Sequence, residues 1–432
     1  MMNVNMLRRS MVFGAVLLAV GVLGCGGGAG SVQVAQSTQP RDLSPSVPSA
    51  DATELASDNQ AFAVDLYQQL RASAGDSGNL IFSPASVSIA LAMLYNGAAN
   101  DTAAQMATAL HFTLPLDRLD AAFDALDLAL TTPPADAGTG AFQLSLANST
   151  WTQMGFPILP TYLDNLAVSF GSDVDQVDFM SAPETARAAI NSWVSGETQG
   201  QIPALFGEGT ITSLTRLVLA DAVYFHGDWQ APFAADSPNG TFHAPAGDVM
   251  VPMMHPNDQA NAMLWSGSGW SAASLAYHGG TTAMILVVPD AGTFDAFQQG
   301  LTGDQLATIL AGTNASTGAV TMPRFKFSVG ESLIPMLQAL GMTDSFTPGA
   351  DLSGIDGMTD LSVDAVIHQA DIAVDEQGTT AAAATGVVVV QTSAIVFSQQ
   401  LTVDRPFLTF IVHQPTGAIL FAGWVVDPTS AS

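Results

Sequence analysis

The segment 376–393 restricts the possible folds more than any other part of the chain. It runs Glu376, Gln377, Gly378, Thr379, Thr380, Ala381 to Ala384, Thr385, Gly386, four valines (Val387 to Val390), then Gln391, Thr392 and Ser393. Before it, Val366, His368, Ile372 and Val374 belong to a strand-like run; after it, Pro406, Phe407, Leu408, Thr409, Phe410 and Ile411 form a second. A connection of about thirty residues inside a compact domain is uncommon, and is usually functional or disordered. Disorder does not suit this composition, which has no charge after Glu376 and is rich in Val, Ala and Thr. Exposed, such a segment invites pairing with any open sheet edge. An ordinary buried strand, or a short alanine-rich helix ending at Gly386, stays open, the helix weakened by the four valines. The sharper reading is a loop made to become a strand. Gly378 lends a hinge without φ restriction. Thr379, Ala381, Ala383, Thr385, Val387 and Val389 would share one face of a sheet. All are small or β-branched, so they can slide beneath a packed layer.

An acidic residue and a glycine leading into small residues, Glu376 to Ala384, resembles the reactive-loop hinge of the serpins. Other blocks carry the same resemblance in order. The run from Asn79 through Pro84 to Ala98 is a strand end, a proline opening a helix, and a helix apolar nearly all round and therefore buried. Ile190 to Ile202, the buried strand Leu217 to Trp229, Val251 to Met254, Ala283 to Asp290, Val320 to Phe327, Arg405 to Phe407 and Gly417 to Pro428 complete it. The resemblance spans residues 55–428.

It implies an α+β serpin fold: a large mixed β-sheet with smaller sheets, about nine surrounding helices and an exposed reactive loop. Its implied sites are a hinge of Glu376, Gly378, Thr379, Thr380, Ala381, Ala382, Ala383 and Ala384, and a reactive bond between Thr392 and Ser393. A shutter of Ser83, Ser86, Asp221 and His368 would lie beneath the sheet opening, and Trp229 would mark the breach where the loop first enters. Ser83 and Ser86 also read as helix-capping residues. Asp221 stands where the family usually has asparagine, and a carboxylate facing imidazole favours protonated His368. Thr379 is expected outside the sheet, or at its margin, in the intact protein.

The implied function is irreversible suicide-substrate inhibition of a serine, or cysteine, protease, with insertion of the loop trapping the acyl-enzyme. Thr392 preceded by valines suits a shallow apolar pocket, as in elastase-like or subtilisin-like enzymes, and offers no cation for a trypsin-like aspartate. A non-inhibitory serpin serving as a surface binding or scaffold protein is the alternative. It is disfavoured because residues 379–384 include no bulky, charged or proline residue.

The rest of the chain bounds these readings. With 38 acids, 10 bases and a formal net charge of −28, nucleic acid and anionic membranes are poor partners. Acidic residues on the 116–130 helix argue against heparin-type activation. There is no Gly-x-Ser-x-Gly, no His-Glu-x-x-His and no phosphate loop, and the seven histidines lack metal-ligand spacing. No enzyme activity, cofactor or metal is expected, and a monomer is. Arg8 and Arg9 precede an apolar run and Gly24-Cys25, which has the form of a signal peptide over 1–24. Val22 to Cys25 resembles a bacterial lipobox, implying a lipidated Cys25, an outer-membrane or cell-surface location and contact with membrane only through that anchor. Cleavage of an ordinary signal, leaving a periplasmic or extracellular protein, also stays open. Residues 25–52, rich in Gly, Ser, Gln and Pro, read as a flexible tether, and 53–432 as the folded domain.

Overall fold

The computed structural model describes residues 32–74, 78–131, 142–257, 259–379 and 397–430. The first half of the chain contributes β1 (Gln33–Ala35), α1 (Ser49–Ala74), β2 (Leu80–Phe82), α2 (Pro84–Tyr95), α3 (Asn100–Ala109), α4 (Leu116–Thr131), β3 (Gln143–Gln153), α5 (Pro160–Phe170), β4 (Val174–Val177), α6 (Pro183–Glu197) and β5 (Leu217–Asp228). A run of strands follows: β6 (Asn239–Ala244), β7 (Gly247–Met254), β8 (Ala262–Gly267), β9 (Trp270–Ala276) and β10 (Thr282–Pro289). Then come α7 (Phe294–Gln299), α8 (Gly303–Leu310), β11 (Ser316–Pro323), β12 (Phe325–Ser332), α9 (Ile334–Ala339) and α10 (Ser353–Asp356). The last strands are β13 (Ala365–Val374), β14 (Gly378–Thr379), β15 (Gln400–Thr402), β16 (Phe407–His413) and β17 (Ala418–Val425). Ten α-helices thus stand among the described residues, against about nine expected; α10 is a single turn.

Two sheets organise these elements. One has seven strands in the order β1-β4-β3-β5-β14-β13-β12. In the other, β2-β17-β16-β10-β9-β8 runs on through β11 to β7 and β6, with β15 also on β11. Helix α2 packs against β3 and β5 of the first sheet and β17 of the second. Every residue from Pro84 to Leu94 is buried, as a helix without a polar face demands. On the other side of the seven-stranded sheet, α6 sets Ala186, Ile190 and Val194 against Ala147, Trp151, Val218 and Ala220 in a second core.

The feature that positions the site is a fork. β5 and β13 are parallel neighbours from Val218/Ala365 to Val223/Ala370. Beyond that they part, and β14 lies between them, antiparallel to both, with Thr379 opposite Gly227 on one side and Val374 on the other.

The described part of the tether expected over 25–52, residues 32–52, packs on the domain instead. Residues 33–35 pair with β4 as an added edge strand. Arg41 reaches α4, where it pairs with Asp124 and Asp127, and Asp42 donates its amide to Val168 O on α5. Helix α1 begins at Ser49. The open edge of β4 and the uncompensated acids of α4 give a polar, Pro-containing segment enough partners to lie down; its composition alone does not reveal this.

Candidate functional site

Residues 375–379 are gripped at the mouth of the fork. Trp229 donates its amide to Gln377 O at 2.7 Å and its indole Nε1–H to Asp375 O at 2.9 Å, while Phe233 N donates to Glu376 O at 3.0 Å. The hinge backbone is thereby held by one aromatic turn that follows β5. Glu376 turns its buried carboxylate to Arg324, whose Nη2 stands 2.5 Å from both oxygens, and accepts the Ser237 hydroxyl. Burial opposes ionisation, but the bonds from Arg324 and Ser237 outweigh it and hold this carboxyl below the usual glutamate range.

Gly378 serves a different purpose from the one expected. Its φ is not left-handed; instead a Cβ there would lie 2.1 Å from Gly227 O. Close approach of two backbones, not conformational freedom, requires glycine here. Thr379, expected outside or at the margin, is 2% exposed. Its Oγ1 is 2.6 Å from the Tyr277 hydroxyl. Tyr277 in turn stacks on Trp229, with centroids 4.6 Å apart and planes 14° from parallel. The aromatic floor explains the correction: it offers a buried, polar-tipped slot that a threonine side chain fits.

Lower in the same sheet, where β5 and β13 still pair, the residues expected to form a shutter share one network. Asp221 of β5 and His368 of β13 are register partners, and both lie over the N-terminus of α2. Ser83 caps that helix by accepting the Ser86 amide. Ser86 Oγ is in reach of both Asp221 Oδ1 and Asn148 Oδ1. His368 Nδ1 stands 2.8 Å from Asp221 Oδ2, and its Nε2 is 3.0 Å from the Ser83 amide nitrogen. A backbone N–H can only donate, so Nε2 is the acceptor and Nδ1 carries the proton. The imidazole is therefore neutral, not protonated as expected. The preference for a charged ring loses to a peptide N–H that needs an acceptor in a buried site.

Thr380, Ala381, Ala382, Ala383, Ala384, Thr392, Ser393 and Cys25 lie outside the described residues. Four contributors escape sequence reasoning: Arg324, Ser237, Tyr277 and Asn148. Only Arg324 leaves a signal, as one of ten basic residues among 38 acids and set in a run otherwise read as strand.

Comparison with known proteins points to a single family. The family model for serpin (serine protease inhibitor) matches residues 57–428. Leukocyte elastase inhibitor A of Mus musculus is 34% identical over 385 residues, 87% of this chain and 100% of that protein. An uncharacterised serpin-like protein of Thermococcus kodakarensis is 34% identical over 371 residues, 85% of this chain and 84% of that protein. Among solved structures, the thermophilic serpin tengpin in its native state superposes with a TM-score of 0.78 at 25% identity, covering 91% of this chain and all of that one. The chain belongs to the serpin family.

Proposed function

We propose that this protein is an irreversible suicide-substrate inhibitor of serine proteases of elastase-like or subtilisin-like specificity. The observation that carries the reading is the seating of Gly378 and Thr379 as a short strand in the fork between β5 and β13. Immediately below it, two parallel neighbours are joined only along their lower half.

The protease serine attacks the Thr392 carbonyl, the Thr392–Ser393 bond breaks, and the amine of Ser393 leaves with its proton. Thr392 is then held as an ester on the enzyme. The freed chain continues the strand that Thr379 begins, parting β5 from β13, and carries the ester with it before water can hydrolyse it. Roughly a dozen new ladder bonds at about 0.5–1.5 kcal/mol net each bring about 10 kcal/mol, comparable with the stability of a whole domain. The uninserted form is then held by a kinetic barrier. The small residues Ala381 to Ala384 and the inhibitors named among the relatives support the same reading.

Incubation with pancreatic elastase or subtilisin is the test. The expected product is an SDS-resistant complex lacking the C-terminal peptide; quantitative cleavage without any complex overturns the reading. Export and anchoring through an acylated Cys25 belong to the same proposal. Membrane fractionation should retain the wild type and release Cys25→Ala; equal release of both ends the anchoring reading.

A further inference from the structure

The slot that receives Thr379 is built around one side chain, Tyr277. Its ring is fixed from several sides: Trp229 stacks on it, Phe225 meets it edge-on at 4.9 Å and 68°, and Gly227 leaves it room. A Cβ on Gly227 would stand 2.9 Å from Tyr277 Cδ1. The ring is fully buried, and burial pushes the phenol far above its usual range, so the hydroxyl stays neutral and able to donate. Its Oη is 2.6 Å from Thr379 Oγ1. Among the described residues neither oxygen has another hydrogen-bond partner. Withdrawal of Thr379 would leave a buried hydroxyl unpaired, which folded chains avoid.

We propose that Tyr277 is the positioning residue that keeps Thr379 seated in the fork, so that strand insertion grows from a nucleus already in place. The inference rests on the inhibitory reading for its consequence, but not for the seating itself. Starting a strand costs chain entropy before any ladder rewards it. A hinge residue that must first find its slot therefore loses time against hydrolysis of the acyl-enzyme. Phe225, Gly227 and Trp229 shape the slot; the Tyr277 hydroxyl retains the occupant.

A double-mutant cycle tests this in the intact protein. Tyr277→Phe and Thr379→Val each remove one half of the contact. Each should speed amide exchange in a peptide covering Gly378 and Thr379 about tenfold, equivalent to about 1.4 kcal/mol. Each should also raise the ratio of cleaved to trapped molecules several-fold with elastase or subtilisin. The double variant, with both polar groups gone, should return to within about twofold of wild type on both readouts. Single variants that exchange like wild type overturn the proposal. A double variant no better than the singles overturns it too, because the effect then belongs to packing and not to the hydroxyl pair. Exchange is read on unreacted protein, so it judges the seating even if wild type traps nothing. Wild type that traps alongside single variants with unmoved partition removes Tyr277 from the mechanism and leaves the inhibitory reading intact.

Discussion

Arg324 holds Glu376 by both carboxylate oxygens at 2.5 Å, across 52 residues of sequence. Arg324 stands in the single-residue break between β11 and β12, and Glu376 is the last acid before the run of small residues that follows Gly378. The pair ties the base of the hinge to the far edge of the fork. Glu376→Gln is expected to lower the denaturation midpoint at pH 7 by the equivalent of about 1.5–3 kcal/mol, the range for a hydrogen bond to a charged group. The folded-state carboxyl lies below the ordinary value of 4.5. Its contribution is therefore present above 4.5 and lost as pH falls through the lower, folded value. The gap between wild type and Glu376→Gln should close on acidification; a gap constant from pH 7 to pH 3 would contradict this.

The Asp221–His368 pair calls for two substitutions with opposite outcomes. Asparagine at 221 can accept the Nδ1–H of His368 and donate to Ser86, whose own proton then turns to Asn148 Oδ1. Asp221→Asn should therefore shift stability by no more than about 1 kcal/mol, since every partner is kept. His368→Ala orphans the Ser83 amide and one oxygen of Asp221 and should cost about 2–5 kcal/mol. Urea titration of both variants decides it, and comparable losses from the two would refute the network as described.

Asp120 gives a pH dependence of the opposite sign from Glu376. It is buried on α4, accepts one bond from Asn96, and is pushed up to about 6, chiefly by burial and to a lesser extent by Asp117. The folded chain binds this proton more tightly than the unfolded chain does. Stability from this group is therefore full below about 4 and lost as pH rises towards 6. Two units correspond to about 3 kcal/mol. Asp120→Asn should exceed wild type by up to that amount above pH 6 and match it near pH 4. Thermal melts that stay parallel across this range would sink the assignment.

Counting from Glu376 with the spacing usual in the family, the proposed reactive bond is Thr392–Ser393, with Val390 and Ile395 the nearest alternatives. The C-terminal peptide released by an elastase-like or subtilisin-like enzyme should begin at Ser393, as read by mass spectrometry. Trypsin should form no complex, because the segment offers no lysine or arginine. Efficient trapping of trypsin would move the bond elsewhere.

Much of this arrangement is legible before any coordinates. The period-2 run through Val366 and His368 and the proline-opened helix at Pro84 each announce their element, and Trp229 sits beside the segment it was expected to meet. What escapes is long-range. Tyr277 meets Thr379 across 102 residues and Arg324 meets Glu376 across 52, and no local pattern encodes such pairs. The protonation of His368 depends on which backbone amide points at it, which only the packed helix start determines. The strap over 33–48 escapes for another reason: three residues are too few to show a strand's alternation, and its partners are the open edge of β4 and a set of acids on α4.

That strap also orients the molecule. Gln33 lies level with Gln176, Thr152 and Leu217 through successive strand pairings, whereas Thr379 lies level with Gly227. Ten residues of β5 separate the two levels, roughly 30 Å at strand rise. The N-terminal chain therefore joins the body at the end of the sheet where β5 and β13 are still zipped together. A surface gripping that terminus would hold the molecule like a lamp by its foot, with the fork facing outward to whatever diffuses past.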